Sequence, residues 1–219
     1  MPDTFFDPHQ RATVEAAMAR IIPSDDTPGA REAGCIDFLE RYLSGIGYIF
    51  ARPDGSGFET LAGKSADAWR HRIEIMRDRY VEGLRELDDR AQGTYSRDFV
   101  DLAPRQQDQI LRALEAASPA RPTTLAVNDA LAGPVSPEPA LQQTSTEIEL
   151  DFLPLLITHT RQGFYADPIY GGNKDRIGWK VIGFPGPASL EEVHSGRYTT
   201  LQYFAEGEAD KVREFHDGL

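Results

Sequence analysis

The stretch Ser65-Ala-Asp-Ala-Trp-Arg-His-Arg-Ile-Glu-Ile-Met-Arg-Asp-Arg-Tyr-Val-Glu-Gly-Leu-Arg-Glu-Leu-Asp-Asp-Arg-Ala-Gln92 decides the fold. Its apolar residues Trp69, Ile73, Met76, Tyr80, Leu84 and Leu87 step by four, three, four, four and three. That spacing keeps them on one stripe of an α-helix, whereas a half-buried strand would alternate every second residue. Arg70, Glu74, Arg77, Glu82, Arg85 and Asp89 read as the solvated opposite face, with charges meeting one turn apart. At 1.5 Å per residue the helix spans about 40 Å. One apolar stripe of that length needs other helices to cover it.

Working outward, helical spacing recurs on both sides. Asp7 and Pro8 have the chemistry of a helix start, and Val14, Ala17, Met18, Ile21 and Ile22 follow at helical intervals up to Pro23. Residues 24–29 read as a turn. A second helix is expected from about Ala30 to Ser44, with Cys35, Ile36, Phe38, Leu39, Tyr42 and Leu43 inward and Gly45 and Gly47 as its stop. Residues 46–58 read as a glycine-rich loop. After Phe99 and Leu102, a helix from about Pro104 to Ala117 places Ile110, Leu111 and Leu114 inward. Residues 119–143, interrupted by Pro122, Pro134, Pro137 and Pro139, are expected to be extended or without fixed structure. A further apolar helix covers about Ser145 to Arg161, and Pro154 within it predicts a kink or a later start. Beyond residue 186, Leu190, Val193, Tyr198, Leu201, Tyr203, Phe204, Val212 and Phe215 are too apolar for a purely solvated tail, and one or two short docking helices are expected.

No strand ladder and no repeat is legible. The expected class is all-α: an irregular bundle of about five main helices with long wrapping loops and a C-terminal extension. We read one domain, divided into a helical part at 7–118, a proline-rich linker at 119–144, a helix plus loop at 145–186 and a docking tail at 187–219.

Composition narrows the function. The net charge of −12 disfavours nucleic acid and anionic membrane surfaces. No apolar run approaches the ~20 residues of a membrane span, so direct membrane insertion is not expected. Cys35 is the single cysteine, which excludes an internal disulfide and a cysteine-ligated cluster; it reads as a small core residue. The acidic N-terminus lacks the basic and apolar regions of an export signal. The expectation is a chain that stays in the cytoplasm, is exported with a signal-bearing partner, or has had a signal removed.

Residues 163–186 form the most distinctive segment. Six glycines there read as turn-formers, and between them stand Phe164, Tyr165, Tyr170, Trp179 and Phe184. A buried aromatic side chain removes on the order of 150–250 Å² from water, so these rings need cover. The cover is either the chain's own helices or another protein. We read Phe164, Tyr165, Pro168, Tyr170, Gly171, Gly172, Asn173, Trp179, Phe184 and Pro185 as candidates for a partner interface, because interface cores favour aromatic residues.

Catalytic and cofactor motifs are not found. Gly45-Ile-Gly47 follows a helix and lacks the third glycine of a dinucleotide loop. Gly171-Gly-Asn-Lys-Asp175 lacks the Gly-Lys-Ser/Thr of a phosphate loop. His9, His71, His159, His194 and His216 show no metal-ligand spacing and read as surface or interface histidines. The expectation is no catalytic, cofactor or metal residue in this chain. One alternative is a stand-alone helical enzyme using His159 with Asp167 as an acid–base pair. Another is a homo-oligomeric scaffold.

Asp167-Pro-Ile-Tyr-Gly-Gly-Asn173, Gly178-Trp-Lys180 and Gly183-Phe-Pro-Gly186 together resemble the signature of the gluconate 2-dehydrogenase subunit 3 family. Ile22-Pro-Ser-Asp-Asp-Thr-Pro-Gly-Ala30 and Leu102-Ala-Pro-Arg-Gln-Gln-Asp108 resemble other parts of it, in the same order along the chain. The resemblance implies a small subunit that is not itself catalytic. It implies a large partner of the glucose–methanol–choline type that carries FAD and oxidises a sugar or polyol, with a cytochrome c subunit as a further partner. Substrate, electron acceptor and compartment do not follow from it.

Overall fold

The amphipathic stretch forms the longest helix, which extends beyond its expected ends to Gly63–Tyr95 and is numbered α3 below. The computed structural model describes residues 4–117 and 147–198. The linker expected at 119–144 and the tail beyond residue 198 lie outside the described residues. In chain order the helices that lie wholly among the described residues are α1 (Pro8–Ile21), α2 (Cys35–Ser44), α3, α4 (Pro104–Ala117), α5 (Phe152–Tyr165), α6 (Ile177–Val181) and α7 (Leu190–His194). Short 3-10 turns occur at Ile46–Tyr48, Phe99–Asp101, Pro168–Tyr170 and Lys174–Arg176. The β pairing among the described residues is an isolated antiparallel bridge between Ala51 and Phe58. The fold is all-α, as the periodicity predicts.

Local chemistry sets the helix ends. Asp7 accepts from the Gln10 amide at 2.8 Å, while the Gln10 side chain accepts from the Asp7 amide at 3.2 Å, a reciprocal cap that starts α1 ahead of Pro8. α2 starts five residues later than expected, because the chain from Ala30 closes a tight turn and Gly34 adopts left-handed φ 67°. Pro154 is the third residue of α5, so the proline sets a late start rather than a kink. At its far end α5 runs on to Tyr165 and takes in Gly163, expected to be a turn residue.

The stripe on α3 is buried from Ile73 to Leu87, and Trp69 is half-buried. Tyr80 is fully buried at its centre, with ring centroids of Phe6, Phe152 and His159 at 5.7, 5.7 and 5.8 Å. Helix α2 packs most extensively on α5. The charged face of α3 departs from expectation at Arg77. Its Nε donates to the Leu43 carbonyl at 2.7 Å and an Nη to the Ser44 carbonyl at 3.0 Å. Arg77 thus satisfies carbonyls that the end of α2 leaves without helical partners. Arg20 and Asp108 tie α1 to α4 through a two-pronged contact at 2.7 and 3.1 Å, and that guanidinium holds the Asp108 carboxyl below its usual range. Cys35 is buried, and burial pushes its thiol up to about 12.

Gly83 is an unexpected residue in the middle of a helix. A Cβ there would lie 2.0 Å from Cγ of Phe152, a ring buried at the start of α5. Helix propensity favours alanine over glycine by up to ~1 kcal/mol, while overpacking a core costs about 1–3 kcal/mol. The clash wins, and Gly83→Ala is expected to lower unfolding stability by about 1–2 kcal/mol in a urea titration.

Candidate functional site

The loop between α5 and α7 is stapled to the helices by one asparagine. Asn173 is fully buried and holds left-handed φ 47°, a conformation asparagine tolerates better than most residues. Its amide donates to the Gly163 carbonyl at 2.7 Å and its Nδ2 to the Ala166 carbonyl at 2.9 Å. Its Oδ1 accepts from the Gly178 amide at 2.8 Å. One residue, through its backbone amide and its side chain, thereby satisfies carbonyls at the end of α5 and fixes the start of α6. Beside it, the Lys174 amide donates to the Ala33 carbonyl at 2.9 Å, joining the loop to the turn before α2.

Glycines permit this approach by their missing Cβ more than by turn geometry. Gly163, Gly172 and Gly178 have no positive φ. A Cβ would stand 3.1 Å from Cα of Cys35 at Gly163, 2.1 Å from the Gly163 oxygen at Gly172, and 1.8 Å from the Phe164 oxygen at Gly178. The expectation that all six loop glycines serve as turns is therefore corrected: Gly171, Gly183 and Gly186 have positive φ, and the other three allow backbones to touch.

Trp179 extends the staple. Its Nε1 donates to the Tyr165 carbonyl at 2.8 Å, and its ring is 6% exposed. Phe184 packs edge-on against it at 5.3 Å, and the Arg176 guanidinium lies over it at 5.6 Å. Asp167 does what its sequence predicts: its carboxylate accepts from the Ile169 amide at 2.9 Å and sets the turn at Pro168.

The ten interface candidates separate into two groups. Phe164, Gly172, Asn173 and Trp179 are buried in the chain's own fold, and Pro168, Tyr170 and Gly171 are half-buried. Tyr165, Phe184 and Pro185 are exposed. The exposed group has neighbours that sequence reasoning missed. Val181 is 39% exposed, Ile182 54% and Phe184 39%, within four residues. With Tyr165 and Val193 they make up five of the seven large apolar residues exposed among the described residues. Nothing in the local pattern marks Val181 and Ile182 as outward; their orientation follows from Trp179 turning inward.

A second feature lies on the other side of Tyr165. Phe38, Tyr42, Tyr48, Ile49, Gln162, Tyr165, Ala166 and Tyr170 line an open pocket of about 430 Å³. At its edge the Glu147 carboxylate accepts from the Tyr42 hydroxyl at 2.9 Å and from Gln162 Nε2 at 2.7 Å.

Whereas His71 and His194 are exposed, His159 departs from the reading of the histidines as surface or interface groups. It is fully buried, with Nδ1 2.8 Å from the Tyr80 hydroxyl and its ring edge-on to Tyr42 at 5.2 Å. Burial pushes its pKa down to about 4, against a smaller opposing pull from Glu147. Its Nε2 is buried without a hydrogen-bond partner. The structure does not bring it together with Asp167, whose carboxylate is occupied by the turn. A neutral imidazole sealed in the core lacks the access that proton transfer to a substrate requires. His9 is exposed and pairs with Asp88 at 2.7 Å.

Among the described residues no cluster of three or more His, Cys, Asp or Glu is arranged to hold a metal ion, and no helix is long and apolar enough to cross a membrane. The three motifs noted in sequence each have a structural role: Asp25 Oδ1 accepts from the Thr27 amide at 3.0 Å in the first, Gln107 and Asp108 tie α4 to the Phe99 carbonyl and to Arg20 in the second, and the third is the staple. No curated protein and no solved structure matches the chain significantly. A family model for gluconate 2-dehydrogenase subunit 3 matches residues 8–186 of the 219. That span takes in the bundle and the whole stapled loop, and the chain belongs to the gluconate 2-dehydrogenase subunit 3 family.

Proposed function

We propose that this protein is a non-catalytic small subunit that binds and stabilises the FAD-containing catalytic subunit of a sugar or polyol dehydrogenase. Membership of a family named as a subunit supports an accessory role in a dehydrogenase complex. The observation that carries the reading is the ledge of Tyr165, exposed at the end of α5, and of Val181, Ile182 and Phe184, exposed on the segment stapled to that helix end. A protein rarely leaves such a cluster in water unless it meets a partner. A rigid loop also loses little conformational freedom on binding, so more of its apolar burial is available as affinity. FAD, hydride transfer and substrate selection then belong to a large subunit of the glucose–methanol–choline type, and a cytochrome c subunit is a further member of the assembly.

Outward-facing residues provide the test, because Trp179 is structural and its loss would disturb the loop itself. Ile182→Ser with Phe184→Ser, co-expressed with the flavin subunit, is expected to weaken the complex by about 30-fold or more, since interface hot spots each contribute about 2 kcal/mol. Helical content by circular dichroism should be unchanged. Undiminished co-purification of the flavin subunit by this variant would overturn the assignment of the ledge. Full activity and flavin retention by a large subunit expressed alone would overturn the stabilising role.

A further inference from the structure

The segment that carries the ledge has the opposite charge sign from the chain around it. Residues 161–186 hold four cations, Arg161, Lys174, Arg176 and Lys180, against two carboxylates, Asp167 and Asp175, whereas the whole chain has 35 acidic and 23 basic residues. One of those carboxylates is occupied, since Asp167 accepts from the Ile169 amide. Just beyond the segment, Glu191 is paired with Arg197 at 2.6 Å and Glu192 accepts from the Ala188 amide at 2.7 Å.

The fold sets these cations at the edge of the apolar surface. Arg161 and Tyr165 are both exposed and stand four residues apart on α5, which places them on one face of that helix. Lys180 is exposed and directly precedes Val181 at the end of α6. The Arg176 guanidinium lies over the same Trp179 ring that Phe184 packs against, and its Nη2 donates to the Ala188 carbonyl at 3.1 Å. Arg161, Lys174 and Lys180 have no carboxylate partner among the described residues. Apolar groups at the centre with charged groups around them is the arrangement of a protein interface and its rim.

We propose that this rim reads an acidic margin on the flavin subunit, so that the ledge fits a partner surface that is apolar at its centre and negative at its border. The proposal rests on the subunit reading and adds the charge of the surface that is recognised. Range is the reason that the rim outweighs the chain's net charge of −12. At 0.1 M ionic strength charges are screened beyond about 10 Å. A helix is itself about 10 Å across, so acids on the far side of the bundle lie outside that range and the rim cations lie within it. Complementary rim charges favour the right partner, and like charges brought together there oppose the wrong one.

The test measures the dissociation constant by diluting the co-purified complex at low and high salt. For the unaltered chain it is expected to rise about tenfold between 0.1 M and 1 M salt, as the screening length falls from about 10 Å to about 3 Å. Arg161→Glu/Lys180→Glu should weaken the complex about tenfold at 0.1 M salt and reverse the trend, because screening then relieves a repulsion. Ile182→Ser/Phe184→Ser should instead weaken it at both salt concentrations and keep the direction of the trend. Arg85→Glu/Arg105→Glu, exposed on α3 and α4, alters the net charge by the same amount and should stay within about twofold of the unaltered chain. If the reversed pair loses helical content by circular dichroism, Arg161→Gln/Lys180→Gln carries the comparison, with the salt dependence flattened. A salt trend unchanged by altering Arg161 and Lys180 would overturn the proposal, and so would equal weakening by the Arg85 and Arg105 pair, which assigns the effect to net charge. A complex equally tight at both salt concentrations overturns the acidic margin and leaves the subunit reading standing, whereas no complex at either overturns both.

Discussion

Gly178→Ala is expected to lower unfolding stability by about 3 kcal/mol and to release the stapled loop. Gly178 lies in α6 with no positive φ, so backbone strain is not at issue and helix propensity alone favours alanine by up to ~1 kcal/mol. The decisive quantity is the 1.8 Å between a new Cβ and the Phe164 carbonyl oxygen. That oxygen belongs to a helix backbone and cannot swing aside as a flexible side chain can. The two segments must separate, which breaks the bond from the Gly178 amide to Asn173 and then that from Trp179 to Tyr165. A broken buried hydrogen bond that leaves its partners unsatisfied costs about 1–3 kcal/mol. Trp179 reports the event directly. In a Trp69→Phe background it is the single tryptophan, and its emission should shift to the red as it enters water. Unchanged emission and an unchanged urea midpoint would mean that the helix end moves to accommodate the methyl group.

Acid is expected to weaken the fold between pH 6.5 and about 4, through His159. The folded pKa, about 4, lies below the ordinary value of 6.5. As pH falls through that interval, the unfolded chain binds a proton that the folded chain refuses. The stabilisation is complete above pH 6.5 and is lost progressively towards pH 4. A gap of about 2.5 units corresponds to about 3 kcal/mol. The groups facing the imidazole are Tyr80, Tyr42 and Glu147, from three different segments. His9 acts in the opposite sense, since its bond to Asp88 raises its pKa, but its exposure leaves that contribution small. The check is urea unfolding at a series of pH values for the unaltered chain and for His159→Gln. The slope between pH 6.5 and 4.5 should flatten in the variant. Parallel slopes would show that His159 titrates normally in the folded state.

Much of the fold is legible in sequence because helical periodicity is a local property. The stripe from Trp69 to Leu87, the cap at Asp7 and the late start forced by Pro154 need no knowledge of distant residues. Sequence places Arg77 on the far face of α3, where it reads as a solvated charge, because its partners, the last carbonyls of α2, lie over 30 residues away. His159 reads as a surface or interface group for a similar reason, since only packing against Tyr80 and Tyr42 removes it from water.

The loop divides the two kinds of knowledge most sharply. The sequence by itself determined that rings among glycines need cover and, through helical spacing, that the chain is helical, and its ordered motifs carry the family resemblance. Tertiary structure decided which rings the chain covers for itself. Trp179 and Phe164 turn inward because the carbonyls ending α5 and the missing Cβ atoms at Gly172 and Gly178 give them a seat. Val181, Ile182 and Phe184 are left outward by the same docking. Hydrophobicity has no direction, so composition can say that a ring seeks cover but not which surface provides it. Hydrogen bonds and close backbone contacts have direction, and they are set by residues far apart in the chain.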